Sequence, residues 1–255
     1  MHKKISLVFL FLFVFLSNAT AQYSSFTHEI GITAGPISFR SDYGERNNSE
    51  STSRNIGYAV GIVHYLNFTD FTNFMWYTRE AYFSEHFRVR SEISYCKTSL
   101  KHIGKWAEQS IRLQAMQGST SVTNLGTQLE FYPFGISDFT NTIGAFSPYI
   151  ALGAQYSFYD PEIHSSLGPL NTPISTPPKY MNATSNEAGT VFSVVSDIGT
   201  RYKLTEYSDL LLEIRWQYYS SDWVDGLNPD HKKYPENKYN DWNVWLNFGY
   251  IFYLQ

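Results

Sequence analysis

Along most of this chain, apolar and polar residues alternate with a period of two, which places successive side chains on opposite faces of a β-strand. Eight segments carry the pattern, and we predict strands at residues 28–39, 56–68, 86–95, 122–131, 148–158, 191–204, 209–219 and 241–254. Each is long enough to cross a bilayer as a tilted strand. The pattern therefore predicts an all-β fold, a transmembrane antiparallel β-barrel of about eight strands, with up-and-down topology and long outer loops.

The alternation does not say which face points inward, because a lipocalin buries its apolar face whereas a membrane barrel turns it to lipid. Glycines decide the question. Gly57, Gly126 and Gly199 share the parity of the charged residues, and small residues are needed in the crowded interior of a narrow barrel. We therefore expect the charged face to line the lumen.

The predicted lumen network consists of eight charged residues on that face. They are Arg88, Arg90, Glu92, Glu130, Asp197, Arg201, Glu213 and Arg215. An eight-stranded barrel is just wide enough for its side chains to fill, and opposite charges in that space pair with one another. We expect a plugged, ion-paired interior, with a narrow pore as the alternative.

The N-terminus has the pattern of an export signal. Lys3 and Lys4 precede an apolar run that ends at Leu16, which is too short to span a bilayer. We predict a cleaved signal peptide over residues 1–21 and an outer-membrane barrel over 22–255, in a Gram-negative bacterium.

Composition supports a membrane interface and excludes some partners. Aromatic residues make up 18% of the chain, with 20 Tyr and 6 Trp, and Tyr and Trp favour the membrane interface. Acidic residues outnumber basic ones, 23 to 19, which argues against nucleic acid. Cys96 is the single cysteine, so no intramolecular disulfide can form.

The histidines give no sign of a catalytic site. His102, His164 and His231 lie in predicted outer loops and lack a second histidine or an acid at a fixed spacing. We predict no enzyme activity, catalytic residue, cofactor or metal. A lipid-modifying barrel enzyme stays open as an alternative.

An even number of strands places both termini and the short turns in the periplasm. The first such turn, residues 69–85, is longer and more aromatic than a turn requires. Exposed aromatic residues of this kind mark contact surfaces. The predicted partner-binding residues are Phe71, Phe74, Trp76 and Tyr77.

The last strand carries a pattern typical of outer-membrane sorting, a polar residue, then glycine, then large apolar residues. Its members are Asn247, Gly249, Phe252 and Leu254. The barrel assembly machinery would recognise such a strand by edge pairing. The predicted outer loops, at 40–55, 97–121, 159–190 and 220–240, would meet lipopolysaccharide and the outer-membrane lipids.

Several short segments also carry a family resemblance, spread in order over nearly the whole predicted barrel. They are residues 29–31 (Glu-Ile-Gly), 147–153 (Ser-Pro-Tyr-Ile-Ala-Leu-Gly), 158–162 (Phe-Tyr-Asp-Pro-Glu), 178–180 (Pro-Lys-Tyr), 199–204 (Gly-Thr-Arg-Tyr-Lys-Leu) and 215–226 (beginning Arg-Trp-Gln-Tyr-Tyr). Together they resemble the PorG-like outer-membrane barrels of Bacteroidetes and a related flavobacterial group. The resemblance implies a component of the type IX secretion and gliding apparatus that contacts its periplasmic ring of a lipoprotein and a partner subunit.

Overall fold

Eight antiparallel strands, each bonded to its neighbours in sequence, close on themselves when β8 pairs with β1. The computed structural model describes residues 26–44, 54–68 and 79–254. The strands are β1 (Phe26–Arg40), β2 (Ile56–Phe68), β3 (Phe87–Lys101), β4 (Met116–Phe131), β5 (Phe146–Ser165), β6 (Gly189–Thr205), β7 (Ser208–Tyr219) and β8 (Trp242–Leu254). The predicted up-and-down barrel of eight strands is confirmed.

Four short α-helices lie in the connections between strands of the described part of the chain. They are α1 (Arg79–His86), α2 (Lys105–Glu108), α3 (Ile111–Ala115) and α4 (Ser137–Asn141), and two 3-10 turns occur at Pro178–Tyr180 and Pro235–Asn237. Within the described ranges, no helix is both long and apolar enough to cross a membrane.

The outer face of the barrel is apolar around its waist. Ile32 and Leu152 are 65% and 64% exposed, and their neighbours on the same face are also large and apolar. Aromatic rings such as Tyr58, Tyr207 and Tyr218 stand exposed near the two rims. A contiguous apolar band of this extent would be unfavourable in water, so the hydrocarbon of a bilayer is the environment that the wall fits.

Three strands extend further than the sequence pattern predicts. The predicted third, fourth and fifth strands cover 86–95, 122–131 and 148–158, whereas β3, β4 and β5 continue pairing through Lys101, Met116 and Ser165. In this extension the apolar residues, among them Leu100 and Ile163, point inward and the outward positions are polar. The polarity of the two faces inverts because the outward face has left the membrane and meets water. The predicted outer loops at 97–121 and 159–190 are correspondingly shorter.

The two ends of the barrel differ in how they are closed. Long loops leave one end, whereas β6 and β7 are joined at the other by a two-residue turn, Glu206 and Tyr207. By the rule for outer-membrane barrels, the long-loop end is outside and the short-turn end is periplasmic. Apolar clusters lie at both ends of the interior, a large one around Phe39, Leu100 and Tyr219 outside and a smaller one around Tyr65 and Tyr149 at the periplasmic end.

Candidate functional site

The centre of the barrel holds a network of buried ion pairs. Arg90 donates to Glu213 Oε2 at 2.6 Å and to Glu92 Oε2 at 2.7 Å. Arg215 donates to the same two carboxylates, to Glu92 Oε2 at 2.8 Å and Glu213 Oε1 at 3.0 Å, and also to Asp197 at 3.1 Å. All five side chains are at most 2% exposed. Each guanidinium thus bridges carboxylates from different strands, which ties the barrel wall together across its interior.

A second charged layer lies nearer the periplasmic end. Arg201 donates to Asp209 Oδ2 at 2.6 Å and forms an ion pair with Glu29. The Arg88 guanidinium lies 3.4 Å from Glu29, and Lys203 lies 3.6 Å from Asp209. With these five residues, the described lumen carries five basic side chains and six acidic ones, so the charges nearly cancel.

Tyrosine rings fill the space between the ion pairs. Tyr149 and Tyr132 donate to the carboxylates of Glu213 and Glu130, the latter at 2.6 Å. The guanidinium of Arg201 lies over the face of the Tyr65 ring, with Cζ 5.0 Å from the ring centroid. Such rings add cation–π attraction and exclude water from the charges.

Toward the outer end, the interior becomes neutral and then apolar. Gln217 Nε2 donates to Asn124 Oδ1 and Ser193 Oγ, each at 2.9 Å, and Ser157 Oγ donates to Asn124 at 2.7 Å. Above this amide and hydroxyl layer, Phe39 and Tyr219 stack at 5.9 Å. Polarity therefore falls in steps along the barrel axis, from ion pairs through amides and hydroxyls to apolar rings.

All eight residues of the predicted lumen network lie buried in the interior. Six of them pair with one another, namely Arg90, Glu92, Glu130, Asp197, Glu213 and Arg215. Arg88 and Arg201 pair instead with Glu29. Sequence reasoning missed Glu29 and Asp209, which complete the periplasmic layer. Both share the parity of the predicted network, so the signal was present, but they lie near strand ends where charge is usual.

The other predicted site residues form two groups, those of the sorting strand and those of the partner-binding turn. Asn247 is buried and donates to Glu213 Oε1 at 2.6 Å, and Gly249 faces Leu211 in the interior, while Phe252 and Leu254 are about half exposed on the lipid face. The predicted partner-binding residues, Phe71, Phe74, Trp76 and Tyr77, lie outside the described residues, as does the predicted signal peptide.

The outer loops form a packed cap over the apolar end. Tyr180 Oη donates to the Asp42 carbonyl at 3.0 Å, and the Asp42 amide donates to Asp225 Oδ2 at 2.9 Å. The His102 ring lies between Tyr43 and Tyr180, at 4.6 and 5.4 Å. Burial, and then the charge of Lys179, lower the pKa of His102 from 6.5 to about 3, so this imidazole is neutral.

Burial in the same cap also shifts the pKa of a carboxyl group, that of Asp225. Burial raises the pKa of Asp225 well above its usual range, and the nearby Asp42 and Asp222 carboxylates add to the effect. Asp225 nevertheless accepts hydrogen bonds from two backbone amides, those of Asp42 and Leu227. Its chemistry is therefore that of a structural acceptor that holds two loops together.

Histidine, serine and acidic side chains contact one another at a few places among the described residues. Within 26–44, 54–68 and 79–254, no group of three or more His, Cys, Asp or Glu side chains is placed to hold a metal ion. His28 and His64 contact at 3.0 Å on the outer wall. Ser119 Oγ donates to Glu162 at 3.4 Å on the outward face of the strand extension. A hydrolytic triad would instead place the histidine between serine and acid.

These features define a class, an eight-stranded outer-membrane β-barrel with an apolar wall and a filled, ion-paired lumen. No protein-family model and no curated protein matches the chain. Several solved structures are similar to this chain in fold. The attachment invasion locus protein Ail of Yersinia pestis is 10% identical, with a TM-score of 0.42 over 91% of this chain and all of that one.

Two further solved barrels are similar to the same degree. A major outer membrane protein of Thermus thermophilus is 10% identical, with a TM-score of 0.46 over 89% of this chain and 99% of that one. The outer membrane enzyme PagL is 9% identical, with a TM-score of 0.35 over 88% of this chain and 98% of that one. At such identities neither ligand nor activity transfers to this chain.

Proposed function

We propose that this protein is a non-enzymatic and non-conducting barrel that anchors an envelope assembly, such as the type IX secretion system. The observation that carries the proposal is the ion-paired interior, in which Arg90 and Arg215 bridge carboxylates across the lumen. A lumen committed to stability leaves the rims as the surfaces for function. The resemblance to PorG-like barrels directs the search to the periplasmic rim.

Conductance tests the first half of the proposal. In planar bilayers, the purified barrel should give no steady single-channel current, because the charged layers and tyrosines fill its cross-section. A narrow pore would give a stable conductance. Steady current that changes with the charge of Arg215 would contradict the plugged lumen.

Co-purification from native envelopes in mild detergent tests the second half. We expect the barrel to bring down periplasmic ring subunits, and the double variant Phe71→Ser, Trp76→Ser to lose them. Tyr207→Ser is the matched control, since Tyr207 is an exposed aromatic of another short turn. A barrel that is recovered free of ring subunits would remove the support for anchoring.

A lipid-modifying enzyme is the second candidate. Ser119, Glu162 and the exposed His164 share the outward face of adjacent strands just beyond the apolar band, where a surface enzyme would meet lipid headgroups. Ser119 contacts the acid directly, whereas in a Ser-His-acid triad the histidine lies between them. Lipid A from a strain that carries Ser119→Ala, compared by mass spectrometry with the parent, should be unchanged if the anchoring proposal is right.

A further inference from the structure

The four long loops build one cavity of about 700 Å³ at the outer mouth of the barrel. Each loop contributes a polar or aromatic side chain to its wall, Asp42 from the first, Trp106 from the second, Lys179 from the third and Asn237 from the fourth. Cavities of roughly 300–1,000 Å³ with a few convergent polar groups are the usual sites for small ligands. None of the residues of the lumen ion-pair network lines this cavity.

The walls of the cavity are held in place by hydrogen bonds between loops. Lys179 Nζ donates to Asn237 Oδ1 at 2.5 Å, and the Gly44 amide donates to His102 Nδ1 at 3.3 Å. Tyr180 Oη bonds the first loop to the third. Because these residues already hold one another in place without a ligand, binding incurs little of the entropy cost of ordering them.

The charges around the cavity favour a neutral ligand. Lys179 is already paired with Glu236, whose carboxylate lies 3.0 Å away. His102 is uncharged because its burial lowers the imidazole pKa. The carboxylate of Asp42 adds a negative charge to the wall, which disfavours anions such as phosphate or sulfate groups.

The surfaces of the cavity alternate between flat apolar groups and hydrogen-bonding groups. Trp106 is 70% exposed, and Pro177 and Pro178 also line the cavity. Beside them, the Lys179 ammonium already donates to Glu236 Oε1 and Asn237 Oδ1 and has one further N–H for a ligand, and the Glu236 carboxylate, 59% exposed, can accept. A sugar ring has this chemistry, since its C–H face packs on an indole and its hydroxyls both donate and accept.

We infer that this cavity binds a short neutral oligosaccharide. The cavity lies at the outer end of the barrel and faces the cell surface. Two sources supply oligosaccharides there, namely the saccharide part of the cell's own lipopolysaccharide and free glycans from the surroundings. The inference does not depend on the periplasmic anchoring proposed above, because the residues that line the cavity belong to the loops at the outer end of the barrel.

The test uses the full barrel in detergent and two probes, a neutral O-chain oligosaccharide released from lipopolysaccharide of the source strain, and cellotriose. Binding is followed by calorimetry. At least one probe should bind saturably, and Trp106→Ala and Lys179→Met should each weaken its affinity at least about tenfold. Tyr239→Ala is the matched control, because Tyr239 is an exposed loop aromatic away from the cavity, and its affinity should be unchanged.

The outcome also identifies the source. Binding of the released saccharide alone would assign the cavity to the cell's own surface, and binding of cellotriose would assign it to free glycans. Failure of both probes to bind, or equal affinity in Trp106→Ala, would overturn the inference. Quenching of tryptophan fluorescence by brominated lipid chains that is reduced in Trp106→Ala would overturn it too, since the Trp106 indole would then be a membrane anchor.

Discussion

Removing Arg90 should destabilise this barrel more than any surface substitution. Arg90→Met keeps much of the side-chain volume but deletes a guanidinium that holds Glu213 by two hydrogen bonds, at 2.6 and 3.2 Å, and Glu92 by one at 2.7 Å. Glu130 and Asp197 lie 3.7 and 3.8 Å from the same guanidinium. All four carboxylates would lose a neighbouring cation at once.

The expected loss in the free energy of unfolding depends on the charges that remain in the lumen of the variant. The described lumen holds five basic and six acidic side chains, and the variant leaves four against six. Breaking a buried ion pair by removing one partner costs about 3–5 kcal/mol. Arg215 still contacts both Glu92 and Glu213, so the lower end, about 3 kcal/mol in the free energy of unfolding, is expected.

Urea unfolding of the barrel in lipid vesicles, followed by tryptophan fluorescence, measures this change. The double variant Arg90→Met, Glu213→Gln restores the original charge difference and should regain part of the loss. Lys97→Met, on the exposed outer face of β3, is the control and should stay within about 0.5 kcal/mol. If Arg90→Met costs less than about 1 kcal/mol, the ion pairs do not hold the interior, and the plugged-lumen argument fails.

Three further predictions concern the cap, a turn and the neutral layer. The folded state keeps His102 neutral, so its contribution to stability is full above pH 6.5 and is lost as the pH falls from 6.5 toward about 3. Proteolysis of the outer loops should therefore become faster over this pH range in the parent protein and change less with pH in His102→Phe. An equal pH dependence of proteolysis in the two proteins would contradict this. Glu85 Oε1 accepts from the Ile136 and Ser137 amides at the start of α4, so Glu85→Ala should speed hydrogen exchange there, at a cost of about 1 kcal/mol. Gln217→Leu leaves buried acceptors unpaired and should cost about 1–3 kcal/mol in urea unfolding, whereas a neutral result would mean that the layer is hydrated.

The sequence pattern was most informative where the environment of a strand is uniform. The bounds of β2, Ile56–Phe68, are those predicted, because the whole strand lies between lipid on one side and the lumen on the other. Glycine parity also predicted the orientation of the faces, since Gly126 and Gly199 lie against interior side chains. Both predictions use only the alternation of neighbouring residues.

Prediction was incomplete where the environment changes along a strand. Beyond the membrane, β3 turns Leu100 inward and Lys97 outward. Apolar residues there occupy the inward positions and no longer the outward ones, so the alternation that identifies the strand within the membrane is reversed. The outer cavity was not predictable at all. It needs contacts such as the bond from Tyr180 to Asp42, which joins residues 138 positions apart, and no local pattern encodes such a convergence.

The order of the layers inside the barrel has a consequence for where function can lie. The ion pairs occupy the periplasmic half and centre, and the outer end is closed by an apolar cluster and the packed loops. An ion that entered from outside would have to cross the apolar layer without hydration before it met any charge. Ions from the periplasm would meet guanidinium and carboxylate groups already paired with one another. Passage is opposed from both ends for different physical reasons, so opening a path requires disrupting two independent layers, and a single substitution at Arg90 or Phe39 should weaken the fold without creating a pore.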